Sequence, residues 1–461
     1  MRFRAGPAPF VTGRTLALDP ARMLLRPAFG GSRMIQAENL QSLAGLVLAM
    51  GLCWALSEAR ARFPLRLAIA SVAVQVGLVL LLFGLPQARA ALEGVNGAVD
   101  ALSASAQAGT GFVFGFLSGA GVPPYMPVDG QPLFIFAFRV LPVILLICAL
   151  SALLWHWRVL KWITRAFGFV FQKTLDLRGP PALATAATIF MGQVEGPIFI
   201  RAYLDKLSRS ELFMLMAVGL SCVSGSTMVA YAAILKASLP NAAAHVLTAS
   251  IISAPAGVLL ARILVPAQAE ERIGDAPLEE DERRYDSAID AVIRGTGDGL
   301  TVLLNVAATL IVFVALVALV DRMLSVLPAW DGQPITLERL LGAVFAPVAW
   351  SLGVPWGEAG KAGGLLGVKL VLTEFSAFLD LGKIPPGELS ERTRMIMTYA
   401  LCGFANVASV GITVSGFSTL VPSRRREILG LGWRALLAGF LATCMTASVI
   451  GALPAALFRA S

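Results

Sequence analysis

Long apolar runs separated by short polar stretches dominate the chain. Runs at about 40–57, 67–85, 133–156, 211–235, 244–264, 299–320, 395–416 and 434–457 each approach the roughly 20 apolar residues that a helix needs to cross a bilayer. Two further stretches, 180–200 and 362–382, are apolar but interrupted by Gly, Pro and acidic residues. At 1.5 Å rise per residue, about 10 residues carry a helical arm partway into the bilayer and another 10 bring it back. These lengths predict re-entrant hairpins. The expected fold class is therefore an all-α polytopic membrane protein with about eight transmembrane helices and two re-entrant helical hairpins.

The pattern also repeats. Each half runs span, interrupted hairpin with a Glu, Gly/Ser-broken span, final span. The first half carries Glu195 and then Ser224-Gly225-Ser226; the second carries Glu374 and then Asn406 to Gly411. Matching interrupted segments in two halves point to an inverted-repeat secondary transporter with its site near the bilayer midplane. The expected organisation is a weakly ordered basic extension (1–33), N-terminal spans with an external segment (34–132), and a scaffold helix plus first repeat (133–264, hairpin 180–200). A charged cytoplasmic linker (265–297) and a scaffold helix plus second repeat (298–461, hairpin 362–382) complete it.

Composition narrows the class further. Of 461 residues, 57% are hydrophobic and 14% charged, against about 25% charged in soluble domains. This excludes a soluble globule, and the apolar content excludes disorder. The net charge is +8, of which 1–33 supply +5 through Arg2, Arg4, Arg14, Arg22, Arg26 and Arg33 against Asp19. The other basic residues sit mainly in loops, so no nucleic-acid partner is expected. Arg60, Arg62 and Arg66, then Arg158, Lys161 and Arg165, then Arg424, Arg425 and Arg426 fall on one side, while 86–132 carries only Arg89. Positive-inside bias then places both termini outside. The Arg-rich start goes against that placement and is read as the extension of an over-long gene start.

Metal and nucleotide chemistry find little support. Cys53, Cys148, Cys222, Cys402 and Cys444 lie in apolar stretches without CxxC spacing, and His156 and His245 form no HExxH. Gly360-Lys361 is followed by Ala362 where a phosphate-binding loop needs Ser or Thr. No cofactor is expected. The chemistry concentrates instead at Gly192-Gln193-Val194-Glu195-Gly196-Pro197, where helix breakers and polar side chains sit inside an apolar segment. Such backbone is tolerated at membrane depth only where it packs in protein or lines a wet cavity, and an ionisable residue there usually has a function. The plainer alternative, for Glu195 and Glu374 alike, is a hairpin-tip carboxylate that reaches water. Asn406 and Ser409 sit in a Gly-rich span that can unwind; their plainer alternative is interhelical packing.

Taken together, these residues resemble the concentrative nucleoside transporters. The resemblance rests on Gly192-Gln193 to Glu195, Ser210-Glu211-Leu212-Phe213, Gly225-Ser226, Gly353-Val354-Pro355-Trp356, Lys369-Leu370-Val371 through Glu374-Phe375, Cys402-Gly403-Phe404-Ala405-Asn406 and Pro422-Ser423-Arg424-Arg425, in family order over roughly 130–457. It implies a homotrimeric symporter of the bacterial inner membrane, moving its transport domain against a trimeric scaffold. It further implies that Gln193 and Glu195 bind the nucleobase and that Glu374, Asn406 and Ser409 hold the ribose, with Phe404 and Thr227 lining the pocket.

The chain departs from the family at its ion positions. Sodium-coupled members carry Asn where this chain has Thr188, and a hydroxyl residue where it has Cys222; Met191 and Val223 correspond to backbone-carbonyl contributors. Val194 also lacks the family's usual hydroxyl, which leaves base preference open. The expectation is a nucleoside symporter driven by protons carried on Glu195 or Glu374, a buried carboxyl being easier to protonate than an exposed one. Sodium coupling through Thr188, Met191, Cys222 and Val223, or transport of another small polar solute, are the alternatives. The remote one is an intramembrane group transferase using the acidic cluster near Glu279 and Glu280.

Overall fold

The computed structural model describes residues 37–119, 135–175, 177, 179–236, 238–267, 285–329, 332, 334–385 and 387–458. Among these it is helical, without strands. The basic extension expected at 1–33 and the acidic residues Glu270 to Glu282 lie outside the described residues.

Helices α1 (Ala37–Ala55) and α2 (Leu65–Gly84) coincide with the first two expected spans. α3 (Pro86–Phe114) is a helix where only an external segment was expected. It opens on a proline, whose missing N–H would have had no intrahelical partner in the first turn. The third span is α4 (Phe136–Arg139) followed by α5 (Val143–His156). α6 (Val159–Leu175) buries Thr164, Gly168, Phe171 and Leu175, one helical stripe, and packs it against α7 (Pro180–Met191).

α7 and α8 (Glu195–Ile198) are the arms of the first hairpin, with α9 (Arg201–Leu204) following. The broken span comprises α10 (Arg209–Ser221) and α11 (Gly225–Leu235), and α12 (Ala242–Leu264) closes this half. A capping box starts α10: Glu211 N–H donates to Ser208 Oγ at 3.2 Å and Ser208 N–H to Glu211 Oε2 at 3.0 Å. Glu211 of the Ser-Glu-Leu-Phe motif thus shapes a helix end.

The second half repeats that order. α13 (Ala288–Leu324) is its long first helix, then α14 (Leu337–Ser351), hairpin arms α15 (Trp356–Val371) and α16 (Glu374–Lys383), broken span α17 (Glu391–Leu401) and α18 (Val407–Leu420), and α19 (Arg425–Ala452). Several elements differ from expectation. α13 starts inside the stretch read as linker, because Ser287 accepts from Asp290 N–H at 3.1 Å and caps it. The first arm of the second hairpin begins at Trp356, ahead of 362, where Pro355 ends the extended step after α14. α14 itself was not anticipated, and it meets α15 at 115°.

Among the described residues, six spans are long and apolar enough to cross a membrane. The expected span at 40–57 is helix α1, which begins on Glu38, Asn39 and Gln41 and is less apolar for it. That at 395–416 is broken at Cys402–Asn406 into α17 and α18, each too short to cross by itself. The apolar windows of α12 and α19 are 89% buried within the protein, whereas that of α13 is 0% buried. Hence α12 and α19 form the interior, and α13, lying along α5, forms an outer wall.

Candidate functional site

A cavity of about 400 Å³ opens where both hairpin tips and both helix breaks meet, walled on its far side by α5 and α13. In the first hairpin α7 stops at Gly192, whose φ of +114° is open to glycine and strained for other residues. A Cβ there would stand 2.7 Å from Glu195 Oε2, so the bare backbone lets the Glu195 carboxylate fold over the tip. The buried Gln193 is fixed by Thr413 on α18, whose hydroxyl donates to Gln193 Oε1 at 2.8 Å.

The second hairpin turns at Thr373, which caps α16 by accepting from Ser376 N–H at 3.2 Å. Glu374 follows in the first helical turn, where a negative charge is favoured by the helix dipole. Its carboxylate accepts from the Tyr231 hydroxyl at 2.8 Å and from Asn406 Nδ2 at 2.6 Å. Asn406 caps α18, its Oδ1 accepting from Ser409 N–H at 2.7 Å. With Nδ2 and Oδ1 both committed, the amide has one orientation.

The two unwound segments support each other. Phe404 N–H donates to Cys222 C=O at 3.2 Å, so backbone groups freed by one break are satisfied by the other, as buried polar groups in lipid must be. Gly403 makes this approach feasible, since a Cβ there would lie 2.7 Å from Ser221 O. Thr227 belongs to the first turn of α11, where its hydroxyl donates to Ser224 O at 2.9 Å.

Gln193, Glu195, Thr227, Glu374, Phe404, Asn406 and Ser409 therefore all line one cavity, although they come from four separate stretches of chain. Of the ion-coupling candidates, Met191 shares that lining, while Thr188, Cys222 and Val223 lie outside it. Thr188 Oγ1 donates to Ala184 O at 2.8 Å, and Cys222 Sγ donates to Ser250 O at 3.5 Å. Ser250 Oγ lies 3.1 Å from Ile189 O and 3.3 Å from Val223 O, bridging the first hairpin and the first break. Among the described residues no group of three or more His, Cys, Asp or Glu could hold a metal ion.

Sequence reasoning missed Tyr231 and Thr413, which orient Glu374 and Gln193. A signal existed for Thr413: Asn406, Ser409 and Thr413 follow i, i+3, i+7 spacing and share a helix face. Tyr231 gave no comparable sign within its apolar run. Asp298, Asn305 and Thr309 on α13 also line the cavity; their i, i+7, i+11 spacing on one helix face is the signal that could have found them.

Comparisons with known proteins give the family. Family models match along most of the chain: "Na+ dependent nucleoside transporter N-terminus" at 44–117, "Nucleoside recognition" at 137–238 and "Na+ dependent nucleoside transporter C-terminus" at 245–451. The chain is 36% identical over 421 residues to the uncharacterized transporter YutK of Bacillus subtilis, covering 89% of this chain and 98% of the relative. It is 32% identical over 419 residues to the nucleoside permease NupC of Helicobacter pylori, covering 90% and 97%. The structure of CNTnw in an inward-facing substrate-bound state aligns with TM-score 0.80 at 34% identity, over 90% of this chain and 97% of that one. A CNTnw variant in an outward-facing state gives 0.82 at 34% identity over the same shares. These relatives are transporters, which removes the group-transferase alternative. The chain belongs to the concentrative nucleoside transporter family and is a multi-pass membrane transporter, not an enzyme.

Proposed function

We propose that this protein imports nucleosides by proton symport. One observation carries the reading: a single cavity gathers carboxylates and amides from both hairpins and from the second helix break. Gln193 and Glu195 offer donors and acceptors suited to a nucleobase edge. Glu374, Asn406 and Ser409 offer acceptors and donors suited to ribose hydroxyls. A site built on such hydrogen bonds rejects analogues that lack the matching groups, because its own polar atoms are then left unpaired. Phe404 and Thr227 complete the lining.

Proton coupling, through Glu195 or Glu374, is supported by the chemistry of the remaining ion positions. A sodium ion prefers hard oxygen ligands, whereas Cys222 presents sulfur bonded to Ser250 O, and the Val223 carbonyl already faces the Ser250 hydroxyl. The alternative is sodium coupling through Thr188, Met191, Cys222 and Val223, and the names of two matching family models include sodium dependence. We place the protein in the bacterial inner membrane as a homotrimer. The two hairpin-bearing repeats then move as one transport domain against a scaffold containing α5 and α13, carrying the cavity across the bilayer.

The test is a nucleoside panel in proteoliposomes under separate proton and sodium gradients. Accumulation of uridine or adenosine driven by an inward proton gradient without sodium is the expected result. Accumulation that follows sodium and ignores a pH step overturns proton coupling. Failure of every nucleoside, with another polar solute accumulated, overturns the substrate assignment.

A further inference from the structure

Lys369 occupies the last turn of α15, the first arm of the second hairpin, and its side chain is wholly buried. The ammonium donates to Ala400 O at 2.7 Å and to Thr443 Oγ1 at 2.7 Å, and stands 5.7 Å from the Phe440 ring centre. Neither hydrogen-bond partner carries a charge. A buried cation without a counter-charge is costly, and such groups are paired in native proteins.

The surroundings supply both a dipole and a charge. Ala400 lies in the last turn of α17, immediately before the break, where carbonyls lack intrahelical partners and the helix dipole is negative. The buried carboxylate that bonds this same break is Glu374, five residues beyond Lys369 across the hairpin turn, at the opposite kind of helix end. The cation thus holds the C-terminus of α17, and Glu374, in the first turn of α16, holds Asn406 at the other end of the unwound Cys402–Asn406 segment. The other titratable groups facing the pair are Tyr231 from α11, Cys402 from the break and Cys444 from α19.

We propose that Lys369 is a positioning residue for the substrate site, the buried counter-charge that keeps Glu374 a carboxylate and pins the broken span beside it. The inference rests on the nucleoside-transport reading and deepens it. A carboxylate at Glu374 accepts from Tyr231, Asn406 and a sugar hydroxyl together, which its protonated form does less well. Of the two candidate proton carriers, this leaves Glu195.

The experiment is a double-mutant cycle on the purified full-length protein, with Lys369→Gln, Glu374→Gln, the double variant and Lys369→Arg. Gln at 369 keeps a donor for Ala400 and removes only the charge. Each single Gln variant is expected to lower the melting temperature by about 5 °C or more, and the double variant to recover at least about half of the summed loss. Simple addition of the two losses overturns the pair. If Lys369→Gln alone yields no folded protein, recovery of the double variant as a monodisperse species supports the pair; its absence, with Glu374→Gln folded, overturns it. The second readout is the pH profile of uridine binding. Its acid limb is expected to move upward by about one pH unit or more in Lys369→Gln and to stay in place in Lys369→Arg. An unmoved limb in folded Lys369→Gln overturns the proposal. If the wild type binds no nucleoside, the function has failed, and the melting-temperature cycle still decides the pair.

Discussion

Thr413, on the broken span of the second half, donates to Gln193, on the hairpin of the first, at 2.8 Å. The reciprocal contact is also made: Tyr231, on the first broken span, donates to Glu374, on the second hairpin, at 2.8 Å. Each hairpin therefore has its polar side chain held by the opposite half. The cavity exists only when the two halves are assembled.

Thr413→Val should uncouple the first hairpin. Gln193 Oε1 would lose its donor in a buried setting, at a cost of about 1–3 kcal/mol. The expected result is a KM for uridine raised roughly 5- to 100-fold with surface expression unchanged. An unaltered KM would remove Thr413 from the site.

Glu374→Gln replaces a charged acceptor of two hydrogen bonds by a neutral amide. Hydrogen bonds to charged groups contribute about 1.5–3 kcal/mol each, so uridine uptake in a transport-deficient host should fall by about 10- to 100-fold or more. Glu195→Gln is expected to abolish accumulation against a gradient while leaving exchange of labelled uridine measurable. Concentrative uptake by Glu195→Gln at the wild-type level contradicts its role as proton carrier.

Gly403→Ala should destabilise the crossing of the two breaks. The added methyl meets Ser221 O at 2.7 Å and the Thr443 methyl at 2.5 Å; the first is backbone and cannot swing aside. A loss of about 1–3 kcal/mol follows, read as a lower melting temperature in detergent. A melting temperature equal to wild type would mean that the breaks do not need this close approach.

Glu58, in the loop between α1 and α2, bonds to Arg209 at 2.9 Å and to Arg434. Burial pushes its carboxyl upward, but the two guanidinium groups outweigh that and hold it below its ordinary value. A lowered folded-state value stabilises above the unfolded carboxylate range, and the gain is lost as pH falls through the folded value. Because the pair is partly exposed, Glu58→Gln should cost at most about 1 kcal/mol near neutral pH. The difference in melting temperature from wild type is expected to vanish in acid; a constant difference would assign the effect to something other than charge.

The sequence by itself determined the membrane class, the two interrupted hairpins and the polar residues at their tips. Apolar run length and helix breakers are local properties, and a carboxylate in such a run is conspicuous without any partner. It did not reveal α14, the N-terminal extension of α13, or the helical nature of 86–114, because moderately apolar segments with caps or a leading proline compete with loop readings. Only the tertiary structure decided what joins what. That Cys222 C=O meets Phe404 N–H, that Tyr231 and Asn406 divide the two oxygens of Glu374, and that Lys369 reaches Ala400 and Thr443 are contacts between segments far apart in the chain. Packing sets them, because polar groups freed within an apolar interior must find one another, and no pattern along a single strand of text encodes which will.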